Sequence, residues 1–258
     1  MPRASDPDQP GELDALELTR DSLLGGDVQF QQPRRGYRVN VDSVLLAAFA
    51  ARGRRAARAI DLGAGVGLVA LLLAHFRAAR ELWLVEREVA LAQIAETNLI
   101  AATVPTRVWC ADVKALKQLG ELRQSAELVA CNPPFFGSAR HRTPKVAERA
   151  RARVGEVAPF VNAAAHCLSG NKSRAVFAYP ASELGELLEA ATRARLVAKR
   201  LRLVHAFADK PARLALLEFK LARPGGLVVE APLIEWERPG QPTAELLALN
   251  SRRASGQK

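Results

Sequence analysis

Apolar residues along this chain fall into short continuous runs separated by polar or glycine-containing breaks. That is the pattern of strands buried on both faces, alternating with helices. The first helix is expected over 44–51, where Asp42 or Ser43 can cap it. Strands are expected at 59–62, 82–85, 107–110 and 128–131. Helices at 68–76 and about 88–101 separate the first three, and a helical patch around 114–122 precedes the fourth. Beyond them, 157–168 reads as a helix, 173–179 as a strand and 181–195 as a helix. Three β-rich segments follow at 200–207, 214–221 and 227–236. Strands and helices alternating in this way imply an α/β fold with a parallel sheet and right-handed crossovers. The organisation expected is a flexible tail over 1–18, one domain over 19–238 and a flexible tail over 239–258.

At 258 residues the chain can bury a substantial core, and 49% hydrophobic with 25% charged residues is ordinary for a soluble protein. The net charge of +10 is not ordinary. It points to a polyanionic partner, nucleic acid before membrane, since no basic amphipathic anchor and no bilayer-length apolar run is present. Cys110, Cys131 and Cys167 are odd in number and widely spaced, which argues for reduced thiols and against disulfides or a zinc site. His75, His141, His166 and His205 lack metal spacing. The amino terminus has no apolar stretch of the signal-peptide kind, so a cytoplasmic, metal-free protein acting as a monomer is expected.

The chemistry is concentrated at Asn132-Pro133-Pro134-Phe135, which closes the run at 128–131. Two successive prolines cannot donate to a ladder, so the strand ends there. The chain then presents one amide side chain, one proline carbonyl and two rings, Phe135 and Phe136. That set suits a planar nitrogen nucleophile. An amide oxygen and a backbone carbonyl accept the two hydrogens of an exocyclic NH2, while an aromatic face holds the ring that carries it. Taken alone, a proline-ended loop over buried phenylalanines would look the same, and the upstream residues decide between them.

Those residues are Asp61, Gly63, Gly65 and Gly67, set between a strand and a helix. The dinucleotide fingerprint would need glycine where Leu68 stands, which disfavours a nicotinamide dehydrogenase. The spacing resembles the class I methyltransferase form instead. Its cofactor, S-adenosylmethionine, has no pyrophosphate to cradle but brings an amino-acid end and a ribose close to the backbone. Glu86, ending the second strand, can accept from both ribose hydroxyls. Asp112, ending the third, is placed to accept from the adenine amino group. Either acid alone would more often be a solvated turn residue; two at consecutive strand ends after this loop suggest a site.

With the Asn132 motif, the glycine loop resembles the amino methyltransferases that modify adenine N6, guanine N2 or glutamine N5. Leu24-Gly25-Gly26, the stretch from Gln32 to Arg38 and Asp42-Ser43-Val44-Leu45-Leu46-Ala47 resemble more specifically the bacterial tRNA(Val) adenine-N6 methyltransferases. That resemblance implies a Rossmann-like class I methyltransferase fold: a mainly parallel seven-stranded sheet, helices on both faces and an antiparallel C-terminal strand. It implies that Asp61, Gly63, Gly65, Gly67, Glu86 and Asp112 hold the cofactor, with Asn132 beside it and Tyr37, Arg38 and Asp42 covering it. It also implies that Asn132, Pro133, Pro134 and Phe135 hold the target base, an adenosine of tRNA next to the anticodon.

Six cations, Arg140, Arg142, Lys145, Arg149, Arg151 and Arg153, follow the motif against one Glu over 138–153. Phosphates flanking a flipped base must lie beside the motif, so these residues, with Arg34, Arg35 and Phe136, are the candidate RNA contacts. The similar cations over 52–58 are read as a solvated face. Three alternatives stay open: a glutamine-N5 protein methyltransferase, a ribosomal guanine-N2 enzyme, and an RNA-binding module with a relict cofactor pocket. The first normally carries a longer helical domain ahead of the glycine loop, and the second often a duplicated domain.

Overall fold

The computed structural model describes residues 17–35, 41–115, 120–133 and 146–250. Leu18–Leu23 (β1) and Val28–Pro33 (β2) pair as an antiparallel hairpin separate from the main sheet. Alternation decides its faces: Val28 and Phe30 are buried while Gln29 is exposed. The hairpin was not among the expected elements, although this period-2 pattern was its available signal.

The chain then runs through α1 (Val41–Ala51), β3 (Ala56–Leu62), α2 (Leu68–His75), β4 (Ala79–Glu86), α3 (Val89–Leu99) and β5 (Thr106–Cys110). It continues through β6 (Leu128–Cys131), α4 (Val146–Cys167), β7 (Arg174–Pro180), α5 (Leu184–Arg193), β8 (Leu196–His205) and β9 (Ala212–Leu221). Two short strands, β10 (Val228–Val229) and β11 (Leu233–Ile234), precede a small hairpin, β12 (Trp236–Arg238) with β13 (Gln241–Pro242), and α6 (Ala244–Asn250).

Seven strands form the body of the sheet in the order β8-β9-β7-β6-β3-β4-β5. Only β9 is antiparallel to its neighbours there, and β10 and β11 extend the β8 edge. This is the class I arrangement expected, enlarged by two edge pieces. Alternate strand residues face opposite layers. Ala59, Leu82, Leu84, Leu128 and Ala130 pack with α1, α2, α3 and α6, whereas Ile60, Leu62, Val85, Val129 and Cys131 pack with α4 and α5. Burial on both sides is why these strands read as unbroken apolar runs.

Two expectations need correction. Of the helical patch expected around 114–122, residues 116–119 lie outside the described residues, and its end is a 3-10 turn, Gly120–Leu122. The helix expected from 157 begins at Val146, because the preceding text is rich in Ala and Arg, both strong helix formers. Residues 241–250 are not a loose tail. Thr243 caps α6 by accepting the Leu246 amide proton at 3.3 Å and donates to the Ile234 carbonyl at 2.6 Å, and Leu246 is buried against the α1 layer.

Helix α1 is buried from Asp42 to Ala50, so its carboxyl-terminal carbonyls cannot all reach water. Two arginines from the sheet take them. Arg174 donates through Nη2 to the carbonyls of Ala50 and Arg54 at 3.2 and 3.0 Å, and Arg200 donates to Phe49 at 2.9 Å while stacking on its ring. We expect Arg174→Ala to leave those carbonyls unpaired and lower unfolding free energy by roughly 3 kcal/mol. Urea melts of variant and wild type check this.

Candidate active site

Strand register brings the sequence-predicted residues together. Leu62 pairs with Val85 on one side and Cys131 on the other, and Glu86 pairs with Cys110. Gly63, Glu86 and Asn132 therefore emerge side by side at the carboxyl edge, with strands about 4.8 Å apart. Asp112 follows Cys110 by two residues. Here the connections of the sheet reverse direction between β3 and β6, the place where open α/β sheets bind ligands. Gly63, Gly65, Glu86, Asp112, Asn132 and Phe160 share the wall of a cavity of about 230 Å³.

The glycine loop is held from behind. Asp61 faces the α2 layer, is only 2% exposed and does not line the cavity. Its Oδ2 accepts the Ala70 amide proton at 3.2 Å, in the first turn of α2. The residue at the helix N-cap is Gly67, which has no side chain to cap with. Asp61 thus supplies from the neighbouring strand the acceptor that Gly67 lacks, at the end of the helix dipole that favours an anion. Gly67 does not line the cavity either. Its φ is 80°, and a Cβ there would lie 3.2 Å from the Ala95 Cβ and 3.3 Å from Leu84 Cδ2, so this glycine serves close helix–strand packing. Gly63 differs: at φ 70°, a Cβ would fall 2.9 Å from the ring of Phe160. Phe160 comes from α4 and was not singled out in the sequence. Nothing local marks it, since only the crossing of α4 over the loop gives it a role.

Glu86 is 7% exposed and doubly satisfied: Oε2 accepts the Gly65 amide proton at 2.8 Å and Oε1 that of Glu88 at 2.9 Å. Each carboxylate oxygen keeps a further lone pair for a ligand donor. Asp112 Oδ1 accepts the Lys114 amide proton at 2.8 Å, and the residue lines the cavity. The same wall carries the apolar Val85, Leu91 and Val113 beside the charged Arg87, Glu88 and Lys114. Acceptors at two strand ends, apolar surface on the same wall and a backbone cradle at Gly63 fit an adenosyl ligand with a diol and an amino-acid end.

On the other side of the cavity, Asn132 donates through Nδ2 to Ser43 Oγ at 3.5 Å, while its Oδ1 is buried and accepts nothing. A buried acceptor without a donor costs roughly 1–3 kcal/mol, so its retention beside a ligand cavity needs a reason. Pro133 is buried next to it. Pro134, Phe135, Phe136, Tyr37, Arg38, Arg140, Arg142 and Lys145 lie outside the described residues. Arg149, Arg151 and Arg153 fall in the amino-terminal half of α4. Arg34 and Arg35 are exposed, and Arg34 is paired with Glu17 at 3.4 Å.

Asp42 departs from its expected part in covering the cofactor. It is 5% exposed, does not line the cavity, and accepts from Arg213 Nη1 at 2.6 Å. Arg213 in turn donates through Nε to the buried Glu235 at 2.6 Å. Burial works against the charge of this guanidinium, and its two carboxylate partners more than offset that, raising its pKa. Cys131 and Cys167 are also buried; burial pushes the first thiol well above its usual range and the second up to about 12, so neither is a thiolate. No cluster of three or more His, Cys, Asp or Glu that could hold a metal exists among the described residues.

A sequence model of the methyltransferase small domain matches residues 40–170, which spans the glycine loop, both acids and Asn132. This chain belongs to that family. The methyl donor of such methyltransferases is S-adenosylmethionine, and the chain is an S-adenosylmethionine-dependent methyltransferase of this small-domain type. A tRNA1(Val) (adenine(37)-N6)-methyltransferase of Porphyromonas gingivalis is 31% identical over 194 residues, 72% of this chain and 75% of that protein. A release factor glutamine methyltransferase of Mycolicibacterium smegmatis is 35% identical over a shorter 111 residues, 43% of this chain and 39% of that one. Among solved structures, a predicted O-methyltransferase of Agrobacterium tumefaciens shares the fold, with a TM-score of 0.65 at 22% identity over 84% of this chain and 99% of that one. No helix among the described residues is long and apolar enough to cross a membrane.

Asp61 gives this small-domain methyltransferase a testable pH signature. Burial first, opposed by the Ala70 amide and then aided by the Glu86 charge, raises its pKa from 3.8 to about 7. Its folded value lies above its unfolded value, so the stability contributed by the bound proton is complete below about pH 4 and lost as pH rises through about 7. Asp61→Asn keeps an acceptor for Ala70 and removes the titration. Relative to wild type, the variant should gain on the order of 2–4 kcal/mol between pH 4 and 8, read from unfolding curves at each pH.

Proposed function

We propose that this protein transfers a methyl group from S-adenosylmethionine to the N6 atom of an adenosine in RNA, tRNA next to the anticodon being the substrate. The observation that carries the reading is the buried, unpaired Oδ1 of Asn132, set across a cavity from Glu86 and Asp112. S-adenosylmethionine supplies an activated methyl on a sulfonium. In this reading Glu86 accepts from the ribose hydroxyls and Asp112 from the adenine amine of that cofactor, while Gly63 and Gly65 let its amino-acid end approach. Asp61 and Gly67 act behind them by seating α2 against the loop.

The acceptor is a different problem. The lone pair of an aromatic amine is delocalised into its ring and weakly basic, so a strong base would help little early on. Asn132 Oδ1 and the Pro133 carbonyl accept the two N–H groups and draw the nitrogen toward tetrahedral geometry. In this reading the amide turns its Nδ2 toward Ser43 and its Oδ1 toward the acceptor amine. Orientation of this kind supplies most of the acceleration, and the proton leaves afterwards to water. Phe135 supplies the stacking face in this reading. A cytoplasmic setting follows from a tRNA substrate.

The relative that modifies adenine in tRNA spans most of this chain and so favours RNA. The shorter match to a glutamine methyltransferase favours a protein acceptor, the second reading. Methyl transfer to purified tRNA and to a release factor, followed by nucleoside and peptide mass spectrometry, separates them. N6-methyladenosine in tRNA is expected; methylglutamine without it would favour the second reading. We expect Asn132→Ala to lower kcat at least about a hundredfold and leave cofactor affinity within about twofold, because the lost bonds form only with the acceptor.

The cations after the motif give a further expectation. Replacing Arg140, Arg142 and Lys145 by alanine should weaken tRNA binding and reduce the log–log salt slope by roughly 0.7–0.9 per lost phosphate contact. Cofactor affinity should not move. Filter binding across a salt series checks this, and an unchanged slope would remove these residues from the RNA interface.

A further inference from the structure

Asn98 lies 32 residues beyond Val66 in sequence, yet it touches the glycine loop. It stands near the carboxyl end of α3, is 5% exposed, and uses its whole amide. Its Oδ1 accepts the Gln31 amide proton at 2.7 Å, and Nδ2 donates to the Gln31 carbonyl at 2.9 Å and to the Val66 carbonyl at 2.8 Å. The pair of bonds to Gln31 reproduces one hydrogen-bonded unit of an antiparallel ladder, so the side chain docks the edge of β2 as another strand would. The third bond reaches the loop between Gly65 and Gly67.

The loop is thereby fastened at two points from opposite sides. Glu86 takes the Gly65 amide proton and Asn98 the Val66 carbonyl. No other residue type does this from one short side chain. Asp has no donor, Ser has a single one, and Gln would carry the amide one methylene further. Gln32, the next residue of β2, is itself held by Asp21 through Nε2 at 2.7 Å, so the docked strand is firm. Five residues after Arg35 lead from this strand into α1, which carries Ser43 and faces Asn132.

We infer that Asn98 is a positioning residue for cofactor binding: it locks the glycine loop to the β1–β2 hairpin so that the two hold the cofactor cavity in shape as one body. This rests on the reading that the cavity holds the cofactor. The acceptor side at Asn132 is not held by this amide, so the loss of Asn98 should fall on cofactor affinity and not on acceptor binding.

The test uses the whole 258-residue chain with Asn98→Ala and, as a control, Leu99→Ala, which opens the same helix to its core and removes no hydrogen bond to the loop. Calorimetry with S-adenosylhomocysteine, hydrogen exchange by mass spectrometry and thermal melts are run on both. Asn98→Ala should bind at least about tenfold more weakly, and exchange should quicken together over residues 28–33 and 62–68. Leu99→Ala should melt earlier yet stay within about threefold in affinity and leave exchange over 62–68 unchanged. Equal loss of affinity in both variants would reduce Asn98 to a structural part, and an Asn98→Ala protein with wild-type affinity and exchange would overturn the proposal outright. If wild type itself binds nothing, the cofactor reading of the cavity fails, and exchange over 62–68 still decides whether Asn98 couples loop and hairpin.

Discussion

The glycine loop joins β3 to α2 beside the end of β4, and the Gly65 amide bonded to the Glu86 carboxylate sets its position. A nearly buried carboxylate must be supplied with donors, and Glu86 draws both of its from backbone, at Gly65 and Glu88. The bond therefore does two things at once. It supplies a buried acid with a donor, and it fixes a backbone that has given up side chains for close approach. Asp61 solves the same problem one layer deeper by accepting from the first turn of α2. Burial first, and then the repulsion between the two acids, keeps the proton on the Asp61 carboxyl up to about pH 7. An occupant carrying positive charge at this edge would offset that repulsion.

The acceptor wall follows a different logic. Asn132 is neutral, so it can be buried with one acceptor unpaired at a cost of roughly 1–3 kcal/mol, where an ionised acid would cost far more. A carboxylate there would also attract a proton or a cation in preference to a weakly acidic amine. An amide presents an acceptor oxygen and no titratable group, and Asn132 turns its Nδ2 toward Ser43. The Glu86 carboxyl is thus bonded at both oxygens, and the Asn132 amide through its nitrogen alone.

Much of this was legible in the residues because the signals are local. Strands buried on both faces appear as apolar runs at 59–62, 82–85 and 128–131, and strand ends followed by Gly63, Glu86 and Asn132 predict where they must meet. The β1–β2 hairpin was equally local, yet its short alternation around Val28 and Phe30 was overlooked. What the sequence could not carry depends on partners distant in the chain. Asp61 and Gly67 match a cofactor motif in spacing, but their contacts are with Ala70, Ala95 and Leu84, behind the cavity. Asp42 fits the motif equally well and is engaged by Arg213. Asn98 and Phe160 belong to helices whose pattern explains them as ordinary positions, and only packing brings them to the loop.

The carboxyl-terminal third takes its part through ion pairs. Arg213 on β9 joins Glu235, just past β11, to Asp42 in the first turn of α1. Asp42 precedes Ser43, the residue against Asn132. A guanidinium that binds two carboxylates in a fixed plane holds the rotation of α1 more firmly than apolar packing can, because α1 is apolar nearly all round and could turn without losing burial. Arg200 and Arg174 hold the other end of the same helix by its carbonyls. Helix α1 is thus pinned at both ends by cations from β7, β8 and β9, strands that lie on the far side of the sheet order from the glycine loop. The later strands reach the acceptor wall through that helix, while β4 and α3 govern the loop that faces it.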